Sequence, residues 1–298
     1  MKKAFAPLKA LLILLVLSAP VEADESHPNP LDQSGWEIGA RYWYSTGRNG
    51  YNYYGDTTSS LLVSRLTYDG LTAHSGEVYF RSDLPSRVFV KGFVGAGSIG
   101  DGTLIDEDFP PVIAPYSKTS SEADGSLNYA SIDLGYAFIR QPNVRLGAFA
   151  GYGRWYESVD ASGCQQEASN PGICVPSVPA SIKLINETDT WNLLRIGATG
   201  DVMLTERLKL TGDAAYVHAW QRATDNHFYT FGYDPASGGG DGFQLEAILS
   251  YQVNDALSLG TGGRWWHLST SAVDSFDQLL TYDTDRYGVF FQGGYRFN

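Results

Sequence analysis

The feature that most restricts this chain is a side-chain alternation of period two, sustained over long segments and repeated from end to end. Near the C-terminus Tyr287, Val289, Phe291, Gly293, Tyr295 and Phe297 fall on one side of an extended chain. Gly288, Phe290, Gln292, Gly294, Arg296 and Asn298 fall on the other. The same rhythm sets Val144, Leu146, Ala148, Ala150 and Tyr152 against Arg145, Gly147, Phe149, Gly151 and Gly153. It recurs around Ile132 and around Leu257, and no convincing helical period competes with it. One face is apolar with aromatics towards its ends; the other is small, polar or charged. Runs of roughly ten such residues fit a tilted membrane-crossing strand. In lipid an open sheet edge would leave N–H and C=O groups without partners, so the sheet must close.

The connections support closure into a barrel. Four are short: Asp83-Leu84-Pro85-Ser86, Gln141-Pro142-Asn143, Leu204-Thr205-Glu206 and Asn254-Asp255. Five are long and polar, centred near residues 50, 112, 172, 232 and 277, and short and long alternate along the chain. That is the plan of an all-β, ten-stranded antiparallel transmembrane barrel with short periplasmic turns and long extracellular loops. The predicted strands are 36–46, 59–82, 87–98, 125–139, 143–159, 187–203, 206–222, 241–253, 256–271 and 284–298, the second passing through a bulge or break at Asp69-Gly70. Lys91, Asp133, Arg145, Lys209, Asp213, Arg264 and Arg296 then point into a narrow lumen, where mixed charges should pair and close it. A wide diffusion pore is disfavoured, and function is expected at the outer rim.

The N-terminus fits export. Lys2, Lys3 and Lys9 precede the short apolar run Ala10 to Leu17, and Val21-Glu22-Ala23 offers small residues to a signal peptidase. Residues 1–23 are therefore expected to be a signal peptide and 24–298 the barrel; the run is too short for a transmembrane helix. The net charge of −12 becomes two units more negative without the leader, which argues against a nucleic-acid partner. The only cysteines, Cys164 and Cys174, are expected to form one disulfide in an oxidising compartment.

Two patterns stand out in the polar connections. The second outer loop carries Asp106-Glu107-Asp108 and the fourth carries Asp225-Asn226-His227. Spacing i, i+2 puts both side chains of each pair on one face of an extended backbone. A carboxylate beside an imidazole raises its basicity and orients it, as a general base requires. The same residues also fit solvated loop acids, or a divalent cation at Asp106 and Asp108. His27, His74, His218 and His267 show no such pattern and read as surface, girdle or packing residues.

Four stretches carry a resemblance to a known family: SRLTYDG, GAGSIGDGTLIDEDF, DGSLNYASIDLGYAFIRQPNVRLGAFAGY and AWQRATDNHFY. In them the chain resembles the omptins, outer-membrane aspartyl-type endopeptidases of Gram-negative bacteria. The resemblance implies a ten-stranded barrel with an Asp-x-Asp pair in the second outer loop and an Asp-x-His pair in the fourth. Asp106 and Asp108 match the first pair, Asp225 and His227 the second. It further implies that Asp225 and His227 activate a water, that Asp106 and Asp108 position it and stabilise the tetrahedral intermediate, and that no metal or other cofactor takes part. Lipopolysaccharide is the implied lipid partner, with Tyr152 and Arg154 as candidate contacts; Tyr152 keeps the family's residue, whereas Arg154 and Tyr156 differ in type. The acids that hold a basic substrate side chain in the family are replaced here by Gly47 and Ala223. The expectation is an endopeptidase acting outside the cell on peptide or protein, with an anionic rim favouring basic substrates. The alternative is a non-catalytic barrel of the same build, an adhesin or a structural, lipid-binding protein.

Overall fold

The computed structural model describes residues 31, 34–168, 173–230, 232–274 and 277–297. The expected signal peptide, His27 and Asn298 lie outside the described residues. Ten strands follow one another: β1 Gly35–Tyr54, β2 Leu62–Asp83, β3 Val88–Asp108, β4 Ser117–Gln141, β5 Val144–Ala168, β6 Val178–Met203, β7 Leu208–His227, β8 Gly232–Gln252, β9 Leu257–Val273 and β10 Leu279–Phe297. Each pairs antiparallel with its neighbours in sequence, and β1 pairs with β10 from Trp36↔Phe297 to Tyr53↔Leu280, so the barrel is closed. The short turns fall where the sequence placed them. At Asp69-Gly70 the β2–β3 ladder shifts register while Gly70 takes φ 67°, so this is a bulge and β2 continues through it.

Alternation becomes an outside and an inside. Ile132, Leu134, Tyr136 and Phe138 on β4 face outward and are exposed, as are Tyr287, Val289, Phe291, Tyr295 and Phe297 on β10. Tyr42, Tyr44, Tyr216, Trp220, Trp265 and Tyr287 form an aromatic belt towards the loop end, and Trp36, Tyr251, Tyr295 and Phe297 one towards the turns. His74 bonds the Tyr42 hydroxyl at 2.5 Å, and His218 and His267 bond Asp241 and Asp285 on the same outward face, so these three are girdle residues.

Inside, the charges pair in layers. Arg264 holds Glu77 at 2.7 Å and Glu246 at 2.6 Å, while Arg41 holds Glu77 from the other side at 2.7 Å. Arg145 bridges Asp83 at 2.9 Å and Asp201 at 2.8 Å, Arg195 meets Asp133 at 3.1 Å, Arg296 meets Glu37 at 3.5 Å, and Lys91 meets Asp213. A cavity of about 100 Å³ remains among them, with Lys209 on its wall. The expected closure of the lumen is therefore present, with one correction. The inward face is not only small and polar: Trp43, Trp155, Trp191 and Trp266 are fully or almost fully buried and pack together with Phe93, Tyr129 and Phe290. Alternation tells which way a side chain points but not how much volume the interior must fill, and a ten-stranded lumen is wide enough to need large rings.

The strands are also longer than expected at the loop end. β1 runs to Tyr54 instead of 46, β3 to Asp108 instead of 98, and β4 and β6 begin at Ser117 and Val178 instead of 125 and 187. The first connection thus spans residues 55–61 and is not centred near 50. Beyond the belt the hairpins stand in water, so their outward residues are polar and the apolar signal stops. The backbone ladder does not, because each strand still has a partner on both sides.

Candidate active site

This extension decides where the two motifs sit. Asp106 and Asp108 are not in a loop but close β3, Asp106 lying between Leu66 of β2 and Thr119 of β4. Asp225 and His227 close β7, Asp225 lying between Glu187 of β6 and Asp234 of β8. Strand backbone holds the i, i+2 partners on one face, as the spacing requires. β3 and β7 occupy opposite walls of the closed ring, and both pairs stand beyond the aromatic belt.

His227 Nε2 lies 3.0 Å from the Asp225 carboxylate. The Tyr53 hydroxyl of β1 lies within hydrogen-bond distance of both Asp225 Oδ2, at 3.2 Å, and Glu187 Oε1, at 2.9 Å. Oδ1 of Asp106 is buried without a hydrogen-bond partner, and so is the hydroxyl of Tyr68, which is 0% exposed. The electrostatics tie the walls together. Burial, then Asp108, push the Asp106 carboxyl up to about 7, with a smaller push from Asp225 and a pull the other way from His227. Burial also raises Asp108, against the Ser64 hydroxyl and His227. Burial pulls the His227 imidazolium down, but the hydrogen bond and charge of Asp225, joined by Asp106 and Asp108, outweigh it and leave the imidazole more basic than usual. Two acids, a carboxylate–imidazole pair and a shared field over one mouth form an arrangement able to take and return a proton near neutral pH.

Several residues here were not singled out in the sequence. Glu187 and Asp189 of β6 are buried beside Asp225 and Ala223, their register partners. Asp189 accepts from Tyr51 at 2.8 Å and from Gln221 at 2.8 Å, and burial pushes it up to about 7. Glu-Thr-Asp repeats the i, i+2 pattern, so the signal was available. At Gly47 a side chain would meet the Arg286 guanidinium at 2.6 Å. Arg286, fully buried and held by Glu157 at 3.0 Å, thus fills the space beside Gly47. Tyr152 and Arg154 share the outward, exposed face of β5, and the Tyr152 hydroxyl donates to Asn192 at 2.6 Å. Cys164 and Cys174 form the expected disulfide at the far end of the β5–β6 hairpin. Among the described residues, His267, Asp283 and Asp285 bring one possible metal-ligand atom each within 4.8 Å of the others, on the outer surface of β9 and β10 and away from the mouth.

A closed, ten-stranded antiparallel barrel with aromatic belts and a charge-paired lumen is an outer-membrane β-barrel. Among solved structures it is similar to the outer membrane protease OmpT from Escherichia coli, with a TM-score of 0.73 and 17% identity over 92% of this chain and 99% of that one. The translocator domain of the autotransporter NalP from Neisseria meningitidis (TM-score 0.38, 13% identity, 90% of this chain and 91% of that one) and Ail of Yersinia pestis (0.31, 10%, 89% and 100%) are further matches. These two share barrel architecture only. No family model matches the chain, and no curated protein matches it in sequence. The omptin resemblance thus holds for the fold.

Proposed function

We propose that this barrel is an omptin-like endopeptidase that hydrolyses peptides at the outer face of a Gram-negative outer membrane. The observation that carries the reading is the meeting of Asp106 and Asp108 with Asp225 and His227 in one electrostatic field above a sealed lumen. The Asp225–His227 pair takes the proton of a water as its oxygen attacks the scissile carbonyl, then returns it to the leaving amine. Asp106, neutral over part of the working range, can donate a hydrogen bond to the developing oxyanion, while Asp108 helps orient the water. Tyr152 and Arg154 offer an aromatic face and a cation to a lipopolysaccharide headgroup. Substrate preference is expected to differ from the omptin pattern, because Gly47 and Ala223 bring no carboxylate.

The test is cleavage of a mixed peptide library by the refolded barrel with lipopolysaccharide, read by mass spectrometry beside Asp225→Ala/His227→Ala. Cuts made by the parent alone are the expected result, with a loss on the order of a thousandfold or more in the double variant. Equal behaviour of two folded proteins would move the assignment to a non-catalytic surface barrel, a reading favoured by the Arg286-filled position at Gly47.

A further inference from the structure

Glu187 and Tyr53 take no part in the chemistry described so far, yet they touch it. Glu187 lies directly across the β6–β7 ladder from Asp225, is 2% exposed, and shares the Tyr53 hydroxyl with it. A phenol carries one proton, and here it has two carboxylates to serve. If both were charged, Tyr53 could serve only one: either Glu187 would lie buried without its donor, or Asp225 would keep His227 alone while facing a second charge across the ladder.

The surroundings offer little cationic relief. Asp189 faces Glu187 from its own strand, Asp225 from β7 and Asp234 from β8. β5 adds Glu157 and Asp160 through the ladder, and Tyr51, Tyr68 and Tyr282 come from β1, β2 and β10. Of the nearby cations, Arg286 is held by Glu157, Lys183 by Asp160, and His227 by Asp225 itself. Removing a charge by protonation costs less than burying a second one.

We propose that Glu187 in its neutral form donates to the Tyr53 oxygen, which frees the Tyr53 proton for Asp225 and makes the two side chains positioning residues for the Asp225–His227 pair. The proposal rests on the hydrolytic reading above for its consequence, but not for its geometry. Burial first, then the charges of Asp225 and Asp189, push the Glu187 carboxyl well above its ordinary range, which agrees with a retained proton. The chain Glu187, Tyr53, Asp225, His227 then has one direction. The carboxylate of Asp225 cannot turn away from the imidazole without breaking two hydrogen bonds. Ionisation of Glu187 at high pH reverses the first link, draws the Tyr53 proton to Glu187 and releases Asp225.

Two variants of the full barrel, refolded with lipopolysaccharide, test this: Tyr53→Phe and Glu187→Gln. The first readout needs no activity: the His227 imidazole is titrated by nitrogen NMR, its signal assigned by its loss in His227→Ala. Tyr53→Phe takes a donor from Asp225 and leaves its charge less dispersed, so His227 should hold its proton more tightly, by about half a unit or more. With an active barrel, kcat should fall about tenfold at little change in KM. Glu187→Gln mimics the neutral acid and can still donate to Tyr53. It should leave the His227 titration as in the parent and move the high-pH limb of the activity profile upward.

An unmoved His227 titration in Tyr53→Phe overturns the proposal. So does a fall of about one unit in Glu187→Gln, since that would mean a charged Glu187 in the parent. Glu187→Gln is nearly isosteric and carries the test alone if Tyr53→Phe does not fold. A barrel that cuts no peptide but shows these shifts would keep the hydrogen-bond chain and overturn only its link to hydrolysis.

Discussion

Asp106 is the residue at which burial and chemistry meet most directly. Its carboxyl holds a proton up to about pH 7, while in the unfolded chain it would lose it near pH 4. A raised value means that the folded state binds the proton more tightly. The associated stability is present in full below about pH 4 and is lost as pH rises through about 7. Asp189, also pushed up to about 7, acts in the same sense. Urea unfolding followed by tryptophan fluorescence should show the midpoint falling across this window, and Asp106→Asn should flatten the Asp106 share of that fall. A window unchanged by Asp106→Asn would place the effect elsewhere. Glu77 shows the structural use of a buried carboxylate. It sits between Arg41 and Arg264 with its side chain fully enclosed. Glu77→Ala leaves two guanidinium groups with Glu246 alone, and a loss of about 3–5 kcal/mol in reversible unfolding is expected. The spacing of the Asp-x-Asp and Asp-x-His pairs made the candidate residues readable in the sequence. Of their partners, Glu187 and Asp189 carry the same i, i+2 spacing, whereas Tyr53 was not readable, because an isolated tyrosine on a strand carries no sign of what stands across the lumen.

At the scale of the strand, the alternation was legible wherever lipid stands on one side. The ten strands, the four tight turns and the inward set of charges were all read from it. The strand ends were not, since above the belt the outward face meets water and loses its apolar signal, while the ladder keeps the chain extended. The seam between β1 and β10 is the element on which closure depends, and its partners are the first and last strands of the fold. Val289 lies in that seam, opposite Tyr44 on one side and Gly263 on the other, with an exposed side chain. Val289→Pro removes an N–H and the freedom of φ where lipid offers no replacement. The variant should fail to reach the compact, heat-sensitive mobility of a closed barrel on a semi-native gel, while Val289→Thr should reach it. Normal mobility of the proline variant would show that the seam tolerates a missing bond there.

For the molecule as a whole, the layers of paired charge and the packed tryptophans make the barrel a pedestal with no open channel through it. The Arg264 guanidinium lies over the Trp43 ring at 4.9 Å and the Trp266 ring at 5.1 Å, so ring and ion layers are joined. Reconstituted in planar bilayers, the protein should give no stable conductance steps; regular steps would contradict the sealed lumen. What the sequence determined by itself is what lipid and backbone chemistry impose locally: extended segments, a side for each residue, an even number of strands and a ring with no free edge. It also placed two acidic pairs on common faces. Only the tertiary structure decided that these pairs come from opposite walls of one mouth, that Arg286 takes the space beside Gly47, and that Tyr53 reaches Glu187 and Asp225 across 134 and 172 positions of chain. The reason is geometric. Alternation repeats every two residues and fixes direction, whereas distance across a barrel is set by closure and strand stagger, which depend on all ten strands at once.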